Sequence, residues 1–169
     1  MSWSVFAIVL MSSVILEVVA ANYGVFLPLL CVCAFCFTMR YGILRVFAGL
    51  VLASAVLDGV WMHRFPSQFI AVLTVTLISG TWRRYGDLGA WLSLVMSGFC
   101  IGVISWGSHL LGKLSSAGHA MTWKSVFQSL PSQVVAAVLL TPLVALMLNS
   151  LLRRRVAWLS KQAEDDEAL

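Results

Sequence analysis

The chain has 169 residues, of which 60% are hydrophobic and only 11% charged. Soluble domains carry roughly 25% charged residues, so a water-soluble globule of this size is excluded: it could not hide so much apolar surface. The formal net charge of +4 comes from basic residues scattered between apolar runs, which argues against a nucleic-acid surface and for topology signals at a membrane.

Run one covers residues 3–21 and is closed by Asn22 and Gly24. No Lys or Arg precedes it and it is long for a signal-peptide core, so it is expected to be a retained first helix. Run two spans 24–39 and ends at Arg40. It contains Cys31, Cys33 and Cys36; the Cys33-Ala34-Phe35-Cys36 spacing lies mid-run with no second pair, so these thiols read as packing residues. Run three spans 43–62 and is followed by His63 and Arg64. Run four spans 67–82, opened by Pro66-Ser67, a sound helix start, and closed by Arg83-Arg84. Run five spans 88–112. Run six lies within 126–152 and stops at Arg153-Arg154-Arg155. A membrane-spanning helix needs about 20 mostly apolar residues, whereas barrel strands are about ten residues long and alternate. The expectation is an all-α integral membrane protein of six transmembrane helices. Residues 1–155 form its single domain, and 156–169 are a short tail, solvated and disordered at the acidic Glu164-Asp165-Asp166-Glu167.

With six spans, both termini share one side. That side holds Arg40, Arg45, Arg83, Arg84, Arg153, Arg154, Arg155 and Lys161, eight of the eleven Lys and Arg; the other holds Arg64, Lys113 and Lys124. The imbalance places both termini in the cytoplasm. Basic turns on that side are candidates for contact with anionic headgroups.

Ionisable groups inside a span are costly and hence candidate functional residues. Three stand out: Glu17, Asp58 and His109. Each falls about one turn from the outward end of its helix, so all three are expected in the outer leaflet, with Gln68, Gln128 and Gln133 near the same level. They make either a polar pocket or partner-docking surface, or separate side chains snorkelling to interfacial water. The short Asp58 side chain favours a specific role, with Arg64 within reach as a partner. Gly98-x-x-x-Gly102 on run five and Gly49-x-x-x-Ala53 on run three suit close helix packing. Pro142 should kink run six or open its backbone bonds, with Thr141 bridging the freed carbonyl. Trp82, Trp91, Trp123 and Trp158 read as interfacial anchors. No Walker loop, zinc-protease helix or nucleophile elbow is present, so no catalytic, cofactor or metal site is expected.

The order of these features resembles the rod shape-determining protein MreD family. The likeness runs over most of 1–160. It rests on Phe26-Leu27-Pro28-Leu29-Leu30 opening the second span and the basic turn Arg40-Tyr41-Gly42-Ile43-Leu44-Arg45. It continues through Gly49-Leu50-Val51-Leu52 in the third span, and Leu57-Asp58 closing it, the family's most recognisable element. The resemblance implies a fold similar to the substrate-binding subunits of energy-coupling-factor transporters. It implies a non-enzymatic role in the bacterial inner membrane: binding the single-span protein MreC and linking cytoplasmic MreB filaments to peptidoglycan synthases. Two other classes stay open on the residues alone. One is a substrate-binding vitamin-transporter subunit. The other is a membrane enzyme whose active site is assembled from several helices.

Overall fold

The computed structural model describes residues 3–61, 66–85, 91–116 and 130–150. Among them there are six helices and no strand: α1 (Trp3–Asn22), α2 (Leu29–Tyr41), α3 (Ile43–Val60), α4 (Ser67–Tyr85), α5 (Trp91–Ser116) and α6 (Leu130–Ser150). Four of them, α1, α3, α5 and α6, are long and apolar enough to cross a membrane. The other two differ for separate reasons. At 13 residues, α2 is about 20 Å long, short of the roughly 30 Å hydrocarbon core. With 19 residues, α4 has the length, but it is diluted by Gln68, Thr74, Thr76, Ser79, Arg83 and Arg84.

Burial runs opposite to that of a soluble bundle. Large aliphatics line the outside: Leu44 is 94% exposed, and Leu52, Leu92, Leu139 and Leu146 are also exposed. The interior meanwhile holds Ser13, Glu17, Ser54, Asp58, Gln68, Thr76, Ser97, Ser105, His109, Gln133 and Thr141. In water this would leave apolar area exposed at about 25 cal/mol per Å². In hydrocarbon, the exposed leucines are at home and the inward polar groups are shielded from lipid.

The short α2 is the hub. Every residue from Leu29 to Met39 is buried, and α2 packs against α1, α3, α4 and α5. Adjacent helices are antiparallel. On α1 and α2, Phe6 meets Phe37 edge-on with ring centroids 4.9 Å apart. Between α4 and α5, the Trp82 indole N–H donates to Ser93 Oγ at 3.0 Å, so Trp82 ties two helices together rather than serving only as an interfacial anchor. On α5 and α6, Gly98 and Gly102 let the helices touch. A Cβ on Gly102 would stand 2.6 Å from Val134 Cα, and one on Gly98 2.8 Å from Val138 Cα. Gly49 does the same for α1 and α3, where a Cβ would meet the Phe6 ring at 2.5 Å.

Three differences from the sequence expectation bear on the site. First, α2 starts at Leu29, not at 24. The chain leaves α1 through a left-handed Gly24 (φ +76°). The N–H of Val25 bonds to Ala20 O and that of Gly24 to Ala21 O, a Schellman close. Residues 25–28 then run without helix to Pro28, which lacks a backbone donor and opens the next helix. The apolar Val25-Phe26-Leu27 read as helix on composition alone. Second, α5 continues to Ser116, which puts His109 about two turns from its end rather than one. Third, α6 remains helical through Pro142. The Thr141 hydroxyl bonds to Ala137 O at 2.7 Å, not to the Val138 carbonyl that the proline leaves without its usual donor.

Candidate functional site

The antiparallel order brings the C-terminal ends of α1, α3 and α5 to the same end of the bundle as the N-terminal ends of α2 and α4. Glu17, Asp58 and His109 all lie there, and all three are buried.

Glu17 faces inward from α1 toward the start of α2. Its Oε2 accepts the backbone N–H of Leu30 at 3.0 Å. The first N–H groups of any helix lack intrahelical partners, and those of α2 lie in the protein interior, where water cannot replace them. A carboxyl oxygen there supplies the missing acceptor. Pro28 occupies the N-cap position and provides no side-chain cap, so the acceptor comes from the neighbouring helix.

Asp58 repeats the device on the second hairpin. Its Oδ1 accepts from Gln68 N–H at 3.0 Å and its Oδ2 from Phe69 N–H at 3.1 Å. The carboxylate at the end of α3 thereby clamps the first turn of α4. The expected Asp58 partner, Arg64, lies outside the described residues; the partners seen are backbone donors. Leu57, beside it, is fully buried, so this dipeptide supplies both a core contact and a helix clamp.

His109 sits between the two turns. Its ring lies 5.0 Å from Phe26 and 4.7 Å from Trp61, and Phe26 and Trp61 are 5.7 Å apart. Phe26 belongs to the α1–α2 connection and Trp61 to the end of α3, so the imidazole of α5 joins both hairpins through a cluster of three rings.

The opposite end is basic. Arg40 donates to Asn149 Oδ1 at 2.9 Å, linking α2 to α6. Arg83 of α4 lies over the α2–α3 turn, where Gly42 has φ +83° and a Cβ would meet the Arg83 guanidinium at 2.8 Å. Arg45 is exposed on α3. Arg84 lies on α4, and Arg153, Arg154 and Arg155 fall outside the described residues.

Sequence reasoning placed Gln68 and Gln133 near this polar end without seeing that they are equivalent. They share the tripeptides Pro66-Ser67-Gln68 and Pro131-Ser132-Gln133, each at the head of an even-numbered helix. That repeat was a legible signal. Both amides are almost fully buried, and Gln68 Nε2 and Gln133 Oε1 have no hydrogen-bond partner. Several buried hydroxyls are satisfied within their own helices, Ser13 to Leu10 O, Thr76 to Val72 O, Ser79 to Val75 O and Ser97 to Leu94 O, whereas the Thr38 and Tyr41 hydroxyls near the other end of α2 have no partner. Such back-bonding lets serine and threonine sit in an apolar interior. Hydroxyls bonded in this way need no ligand.

Chemically, this end holds two helix starts in place and presents two buried amides. Among the described residues no group of three His, Cys, Asp or Glu could hold a metal ion. Comparison with protein-family models, with characterised proteins and with solved structures finds no match to this chain.

Proposed function

We propose that this chain is a six-span, MreD-type scaffold of the bacterial cell-elongation machinery, non-enzymatic, with both termini cytoplasmic. In this reading it binds an MreC-like single-span protein and links MreB filaments to peptidoglycan synthesis. The observation that carries the reading is the position of Leu57-Asp58. The dipeptide on which the family resemblance chiefly rests is the one whose leucine is fully buried and whose carboxylate clamps α4. A scaffold needs a rigid body more than a reactive centre, and both inward carboxylates serve rigidity. The fold similarity to energy-coupling-factor substrate-binding subunits, implied by the same resemblance, belongs to this proposal.

The partner's span would lie against the apolar outer surface. A groove of ≈ 410 Å³ between α1 and α3 is lined in part by Ala7, Ala48, Gly49 and Ala53, small residues that let a helix backbone approach closely. The arginines of the basic end would meet headgroups or filament proteins. Affinity purification of the tagged chain from its own host in mild detergent tests the proposal. An MreC-like protein should co-purify, and Ala48→Trp should reduce its recovery about tenfold. Recovery of no cell-wall partner overturns it.

One observation favours a second reading, a subunit that binds a small polar substrate at the outer end: the unpartnered Gln68 Nε2 and Gln133 Oε1. A vitamin-sized ligand retained at one per chain in native mass spectrometry, and lost in Gln133→Leu, would select that reading instead.

A further inference from the structure

A second groove lies on the other side of α1, walled by α1 and α6 and floored by α2. Its volume is ≈ 560 Å³, and its walls include Val9, Leu16 and Ala20 on α1, Leu143 and Met147 on α6, and Cys33 beneath. The lining residues recur on each wall at helical spacing, so the groove is a continuous feature of two helix faces. The hydroxyls within it are already spent: Ser12 bonds to Ile8 O and Ser13 to Leu10 O. The walls therefore offer hydrocarbon and no free donor.

A single hydrocarbon chain needs only a narrow slot, and the charge beside the groove argues for a lipid as its occupant. The groove reaches Leu148, and the next residue, Asn149, is held by the exposed Arg40. A guanidinium has five donors, and Asn149 takes one of them. A cation and an amide thus lie next to the Leu148 end of the apolar slot. That pairing is complementary to a phosphate headgroup carrying an acyl chain.

We propose that the α1–α6 groove is a binding site for an anionic phospholipid, with an acyl chain between α1 and α6 and the phosphate at Arg40 and Asn149. The lipid would complete the wall of the bundle between these helices. The site is separate from the α1–α3 groove assigned to a partner span.

The test uses the full chain, purified alone and exchanged into mixed micelles of phosphatidylglycerol or phosphatidylcholine, with retained lipid counted by native mass spectrometry. Because no partner is present, its outcome is independent of whether an MreC-like protein is ever found. One phosphatidylglycerol per chain should be retained in preference to phosphatidylcholine. Arg40→Gln should lower phosphatidylglycerol retention about fivefold, as expected for one basic residue at an anionic surface. Leu143→Trp and Met147→Trp should abolish retention of both lipids; both side chains are more than half exposed, and an unchanged melting temperature would show that the fold survives. Equal retention of the two lipids, or retention unaffected by Arg40→Gln or by either tryptophan, overturns the proposal. So does a dimer whose formation the tryptophans prevent, since the groove would then hold a second copy.

Discussion

The first two helical hairpins and the third are held together by different chemistry. In α1–α2 and α3–α4, a carboxylate near the end of the first helix caps the backbone of the second. In α5–α6, the contact is bare backbone against backbone at Gly98 and Gly102, and the ionisable residue of α5, His109, packs edge-on and tilted against rings from the other two hairpins. Capping suits helices whose first turns lie in the protein interior, where an orphan N–H has no water. Glycine contact suits long helices that meet along their length, where dispersion and close approach supply the attraction that the hydrophobic effect cannot provide in lipid.

The largest expected effect is at the clamp with two bonds. Asp58→Ala leaves the N–H groups of Gln68 and Phe69 without their acceptor. At about 1–3 kcal/mol for each unsatisfied buried group, a loss of roughly 3 kcal/mol is expected in reversible unfolding from mixed micelles. The glycine seam comes next. Gly102→Ala places a methyl 2.6 Å from Val134 Cα, and a backbone atom cannot swing aside as a side-chain tip would. Overpacking of this kind costs about 2 kcal/mol. It should loosen α6 selectively, read as faster hydrogen exchange over 130–150 with α1–α4 unchanged. Loss of protection spread evenly over the bundle would erase the distinction between the hairpins. Glu17→Ala removes a single capping bond and is expected to cost about 1.5 kcal/mol, with the exchange increase centred on the first turn of α2.

Much of this architecture was legible in the sequence, for identifiable reasons. Six apolar runs correspond to six helices because run length is a one-dimensional property. The gathering of Glu17, Asp58 and His109 at one end follows from alternating helix direction, which needs no contact information. The groups these residues touch were not legible. A charge-based reading offers Arg64 as a partner for Asp58, and that residue lies outside the described residues. The partners seen for both carboxylates are backbone donors, which every residue but proline carries and which therefore leave no mark in composition. The late start of α2 was hidden in the same way. Val25, Phe26 and Leu27 are apolar, and only the left-handed Gly24 together with Pro28 disclosed that the stretch is not helical. The paired Pro-Ser-Gln tripeptides were visible, but their significance rests on the burial of Gln68 and Gln133, a tertiary fact.

The smallest effect is also the most discriminating between the two capped hairpins. Glu17 uses one oxygen on one N–H, whereas Asp58 uses both oxygens on two. Conversion to the amide keeps one carbonyl acceptor and turns the other position into a donor. Glu17→Gln can present its carbonyl to Leu30 and retain the bond, at a cost of at most a few tenths of a kcal/mol. Asp58→Asn cannot satisfy both Gln68 and Phe69: whichever way the amide turns, an N–H group meets another N–H group. A penalty about 1 kcal/mol larger than that of Glu17→Gln is expected, measured side by side in the same unfolding assay. Equal penalties would mean that Asp58 works chiefly as a charge at the α4 dipole, and that the two-bond geometry adds nothing to the single bond made by Glu17.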